Sequence, residues 1–175
     1  YRLLARQWTY RYVSVSLDVY LLFVIIGALL FLFYQKILSY SEEGPTLLLV
    51  SLIATAFYLL HPACAETVNY IIQRGDMFAA FFLVLGFVLY AYVPLCRQYY
   101  LYLPVIFIGI LAKPNTLVFA PLFLIYQYLF EYRLTGKDIV DVTKYGKVIF
   151  ASLGAFAVCI LAYLFMSAMQ SESYA

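Results

Sequence analysis

Charge is scarce in this sequence. Lys, Arg, Asp and Glu make up 11% of its 175 residues, against about 25% in a soluble globular domain, which excludes a soluble enzyme and a disordered tail. The 11 basic and 9 acidic residues leave a net charge of +2, too balanced for a nucleic-acid binder or a strongly basic membrane-surface patch. Cys64, Cys96 and Cys159 are an odd number without C-x-x-C spacing, so neither a disulfide framework nor a zinc site is expected, and the three read as small apolar side chains. No internal repeat is visible. The opening Tyr1-Arg2-Leu3-Leu4-Ala5-Arg6 lacks the basic-then-apolar plan of a secretory signal and starts without Met, so the chain reads as a piece of something longer.

What is present is apolar. Hydrophobic residues are 66% of the chain, 20% of it is aromatic, and the mean hydropathy is +0.92. Crossing a bilayer takes about 20 apolar residues, and runs of that kind recur along the sequence, which predicts an all-α, polytopic transmembrane helix bundle of about six spans in a single domain, 1–175. Charged residues mark the borders. The uncharged runs are 19–35, 46–60, 77–96 and 148–168, and the stretch 98–130 carries one charge, Lys113. That stretch suits two short helices joined at Lys113-Pro114-Asn115, or a re-entrant pair. Between the runs lie the loop 36–45 with Gly44-Pro45, the polar stretch 61–76, and the charged segment 131–147. Tyr10, Tyr12, Tyr58, Tyr70, Tyr99, Tyr100 and Tyr102 fall near span ends, where aromatic anchors belong, and some of the rings are candidates for a sugar or polyprenyl groove.

With this parity one face carries Arg2, Arg6, Arg11, Arg74 and Lys113, and the other carries Lys36, Arg97, Arg133, Lys137, Lys144 and Lys147. The near-even split decides nothing alone. The first face holds its cations in compact motifs and the second holds most of them in one ordinary loop, so segment 131–147 is placed in the cytoplasm and the motif-bearing face outside.

The chemistry-bearing residues concentrate on that outer face. A helix starting at Pro62 would lie along the membrane surface with Glu66, Asn69, Tyr70 and Gln73 on one side. Gly75 would form the turn out of it, and Asp76 would cap the next span. Each residue also has a simpler reading. Asp76 would satisfy helix N–H groups without any substrate, Glu66 and Arg74 would be solvated or pair with each other, and Lys113 would snorkel to the interface. His61 suits proton traffic, or merely ends a helix together with Pro62. The functional reading rests on ionisable groups gathered beside bilayer-depth runs, where they are costly.

Two blocks resemble a known family. His61, Pro62, Glu66, Val68, Tyr70, Arg74 and Asp76, followed by an apolar helix, resemble a segment of polytopic GT-C type glycosyltransferases, especially those with tetratricopeptide repeats after the membrane region. Ala112-Lys113-Pro114-Asn115-Thr116-Leu117-Val118-Phe119-Ala120-Pro121 resembles the Ser-Lys-Pro/Glu block of the same proteins. Tyr1-Arg2 resembles the Tyr-Arg-Pro that ends their first outer loop. Leu3, Cys64, Tyr70 and Ala112 depart from the family pattern, which leaves the subfamily, sugar and acceptor open.

The resemblance implies a partial GT-C fold and transfer of a sugar from a polyprenyl-phosphate donor to a protein, lipid or glycan acceptor on the outer or lumenal face. A bacterial inner membrane or an endoplasmic reticulum membrane is expected, the compact loops favouring the bacterial one. Such inverting chemistry needs a carboxylate base, or a metal held by carboxylates, and a cation to steady the departing phosphate. The family's acidic pair would precede Tyr1, and with it the ligands of any divalent metal; no cofactor is evident in the chain itself. By the resemblance Lys113 and Arg74 contact the donor phosphate, while Glu66, Asp76, His61 and Tyr70 order the site or touch the acceptor. Two readings compete: a transporter or flippase-like bundle, which would carry charges at mid-span, and a non-catalytic scaffold in which the same residues only cap and anchor helices.

Overall fold

The computed structural model describes residues 2–41, 44–62, 64, 74–131 and 142–173. Among them every regular element is a helix: α1 (Arg2–Leu38), α2 (Pro45–Leu59), α3 (Arg74–Tyr92), α4 (Pro94–Gln98), α5 (Tyr102–Ala112), α6 (Phe119–Tyr126) and α7 (Val142–Ser173). A 3-10 turn (Pro114–Val118) enters α6, and a π turn (Gln127–Glu131) leaves it.

Proline and glycine set the breaks. Gly44 adopts φ 74°, a conformation open mainly to glycine, and hands the chain to Pro45 at the first position of α2. Val93 is extended ahead of Pro94 and Lys113 is extended (φ −159°) ahead of Pro114, because the proline ring pushes the preceding residue out of the helical region. The third span therefore ends at Tyr92, not at Cys96 as the charge borders suggest. At the other end of α3, Gly75 and Asp76 already lie inside the helix, so Gly75 is not a turn and Asp76 is a first-turn residue, not the N-cap.

Among the described residues three segments are long and apolar enough to cross a membrane: Asp18–Leu38, Arg74–Tyr92 and Ile149–Met169. The remaining runs form shorter apolar helices, 15 residues in α2 and 11 in α5. The surface helix expected from Pro62 lies outside the described residues.

Side-chain contacts fix the directions. Tyr92 Oη donates to the Leu32 carbonyl at 2.8 Å, and Asp18, midway along α1, shares a cleft with Arg74 at the other end of α3, so these two helices run parallel. α5 returns against α3, with Tyr102 against Tyr90 (ring centroids 5.2 Å) at one end and the Lys113 stem beside Gly75 at the other. α6 runs with α3, and α7 runs back against it, with Ser152 bonded to Gln127 and Phe165 near Phe107. The bundle thus has an Arg97 end and a Lys113 end. At the Arg97 end cations rest on aromatic rings, Arg97 over Tyr90 at 5.3 Å and Lys36 over Tyr92 at 5.8 Å, a favourable cation–π arrangement.

α3 and α5 meet most closely. A Cβ on Gly109 would stand 2.7 Å from Phe82 Cβ, and one on Gly86 would stand 2.5 Å from Ile106 Cδ1, so the absent side chains let two backbones approach. Around this seam Phe87, Tyr90, Tyr102, Phe119, Phe123 and Tyr126 form the buried core. Tyr102 is fully buried and is a core ring, not an interface anchor. Polar side chains also point inward: Thr116, Gln127, Ser51 and Ser152 are buried, whereas Leu49, Ile53, Phe57, Phe150, Leu161 and Leu164 are exposed. Apolar outside and hydrogen-bonded polar groups inside is the distribution that lipid surroundings favour.

Candidate functional site

The Lys113 end carries the cluster. The break between α5 and the 3-10 turn leaves Lys113 and Asn115 on a corner held by two bonds: Thr116 N–H donates to the Lys113 carbonyl at 3.2 Å, and buried Thr116 Oγ1 donates to the Gly109 carbonyl at 3.0 Å. The Lys113 stem crosses the first turn of α3, where a Cβ on Gly75 would stand 3.5 Å from Lys113 Cδ. Its ammonium forms an ion pair with Asp76 Oδ1, and Asn115 Nδ2 donates to the same oxygen at 3.2 Å. Two donors from one corner thus converge on a single carboxylate oxygen. The Lys113 and Asp76 side chains are 34% and 36% exposed, so the pair is worth at most about 1 kcal/mol of stability. Its position in the first turn also suits Asp76, since a carboxylate there meets the positive end of the helix dipole.

Two clefts flank Met77, which is itself buried. One, of about 200 Å³, is lined by Phe23, Ile26, Tyr58, Cys64, Met77 and Ala80, with Asp76 its charged wall residue. The other, of about 130 Å³, lies between α1 and α3 and has Asp18 and Arg74 among apolar walls. His61 sits just beyond α2, exposed, with its ring edge against Phe57 at 5.9 Å. The structure therefore brings Asp76 and Lys113 together, sets Arg74 on the adjoining cleft, and leaves His61 on the rim. Glu66 and Tyr70 lie outside the described residues.

Two members of this end escape a reading of the sequence. Asn115 is a neutral amide in an uncharged run; its place two residues after Lys113, past a proline, is the one local signal. Asp18 is the first acidic residue of the chain and enters the first long apolar run, which marks it as exceptional but not as a neighbour of Arg74. Of the cysteines, only Cys159 is fully buried; Cys64 and Cys96 are half-buried, and all three are free thiols. Among the described residues no three His, Cys, Asp or Glu side chains are grouped as a metal site would need.

Among the described residues, fold and site together define a helical bundle with three helices of membrane-crossing length and a polar, ion-paired cluster at one end. No protein-family model matches the chain, and no curated protein or solved structure matches it either.

Proposed function

We propose that the chain is part of the membrane domain of a GT-C type glycosyltransferase, with six crossings. It would take a sugar from a polyprenyl-phosphate donor and pass it to an acceptor on the outer or lumenal face. The observation that supports this reading is the convergence of Lys113 and Asn115 on Asp76, beside a cleft that holds Arg74, at one end of a bundle with an apolar exterior. Sugar transfer from a lipid phosphate builds negative charge on the departing oxygen. A fixed ammonium at that point stabilises the transition state more than the ground state. In this reading Lys113 and Arg74 bind the donor phosphate, and Asp76, with Glu66, His61 and Tyr70, orders the site or meets the acceptor.

The test is transfer of labelled sugar from a panel of polyprenyl-phosphate sugars in membranes carrying the full-length protein. Lys113→Met is expected to lower transfer about 100-fold or more, in the range seen when one transition-state donor is removed, while membrane insertion is unchanged. Transfer at the wild-type rate in that variant overturns the assigned role. A scaffold reading is favoured by one observation: Lys113 is already paired and joins α3 to the α5–α6 corner. It requires that the wild type transfer no sugar from any member of the panel.

A further inference from the structure

Asp76 occupies the place on Lys113 that a phosphate would need. We propose that the Lys113–Asn115 corner is an anion cradle in which the Asp76 carboxylate is the resident anion, exchanged for the phosphate of a polyprenyl monophosphate when it binds. The inference rests on the phosphate-binding role proposed for Lys113 and concerns the monoester left once the sugar has been transferred, since the sugar-bearing donor is a diester with a single charge and has no such advantage over Asp76.

Three features carry it. The cradle is preformed: its two donors come from one corner, fixed by the Thr116 bonds to Gly109 and Lys113. Its present occupant comes from a different helix, α3, 39 residues away from Asn115 in sequence, so the carboxylate can leave without unfolding the corner. The pair is also about one-third exposed on both sides, so an ion from outside reaches it, and the strength of such a pair is small enough to exchange.

The charges favour the exchange. A phosphate monoester carries about −1.5 to −2 at pH 7 and offers three acceptor oxygens, more than a carboxylate, and both donors of the cradle can engage it. A released Asp76 keeps the favourable end of the α3 dipole and remains on the wall of the 200 Å³ cleft. A neutral lipid alcohol or a singly charged carboxylate has no such advantage over Asp76. The resident carboxylate therefore acts as a guard that selects for phosphate at the cost of some affinity.

The experiment measures binding of polyprenyl monophosphate to the full-length protein in lipid nanodiscs, with the corresponding polyprenol and inorganic phosphate as comparison ligands. Asp76→Asn, which keeps size and removes charge, is expected to bind polyprenyl phosphate about two- to fivefold more tightly, the range an exposed ion pair supports. Lys113→Met loses that binding in either background, and polyprenol binding changes in neither variant. A gain shared by inorganic phosphate identifies a general phosphate cradle, and a gain confined to the polyprenyl ligand identifies a lipid headgroup. Should Asp76→Asn not accumulate, Asp76→Ser removes the same charge and should give the same gain. Unchanged or weaker polyprenyl phosphate binding in a charge-removing variant that melts like wild type overturns the exchange. Because binding is read without sugar transfer, a gain in affinity in a protein that transfers nothing sinks the transferase reading alone. Lost transfer in Lys113→Met with no gain in Asp76→Asn sinks the exchange alone.

Discussion

At the scale of single residues, the interior holds a polar connection as informative as the ion pair. Gln127 Nε2 donates to Tyr90 Oη at 2.9 Å and Ser152 Oγ donates to Gln127 Oε1 at 3.2 Å, so one amide joins α3, the end of α6 and α7. Gln127 is 1% exposed, and its π turn is the kind of backbone irregularity that aims a side chain where a regular helix would not. Gln127→Leu is expected to cost about 1–2 kcal/mol, since its partners lose these bonds inside an apolar core; reversible unfolding in mixed micelles measures it. Asp76 and Lys113 were legible in the sequence because a charge beside a long apolar run is conspicuous. Their pairing was not, since nothing local relates two residues on different helices. Gln127 was illegible for a second reason: an uncharged amide near a span end reads as surface until the packing direction is known.

At the scale of helices, punctuation was readable at Pro45 and Pro114, whereas Pro94 was passed over. Pro45, Pro94 and Pro114 each open a helical element, and the corner at Lys113-Pro114-Asn115 is where the sequence placed it. Charge was a poorer guide to helix ends: it carried the third span to Cys96, although Pro94 had already ended the helix. Gly75 misled in another way, since a glycine in a helix looks like a turn when its neighbours are unknown. The glycines separate into two kinds by what surrounds them. Gly109→Val is expected to destabilise the bundle by about 1–3 kcal/mol, because the added group meets Phe82 Cβ, which sits on a backbone that cannot swing aside. Gly75→Ala meets the Lys113 stem and the Ala112 carbonyl oxygen, both at ordinary contact distance, and its melting temperature should stay near wild type. Equal melting temperatures for the two variants would mean that the α3–α5 seam is looser than described.

At the scale of the whole molecule, the sequence showed an apolar, helical, many-segmented chain, and the structure arranges it with two unlike ends. Composition cannot say which runs reach across a bilayer: three do by length, and the others are shorter. Native thiols test the arrangement. Cys64 and Cys96 flank α3, one on the Lys113 side and one on the Arg97 side, and both are half-buried, whereas Cys159 is buried. In sealed vesicles a membrane-impermeant maleimide should modify Cys64 and Cys96 from opposite faces and spare Cys159; modification of both from one face would mean that α3 does not cross. The short helices carry a further consequence. α2 and α5, with 15 and 11 residues, reach about 22 and 16 Å at 1.5 Å per residue, against about 30 Å of hydrocarbon. α2 packs on α1 and α5 packs on α3 and α7, so a bilayer lying against the apolar outer face of α5 is drawn thin beside that helix. Such a dimple lowers headgroups and water toward the level of Lys113, so the lipid itself delivers polarity to the threshold of the cluster.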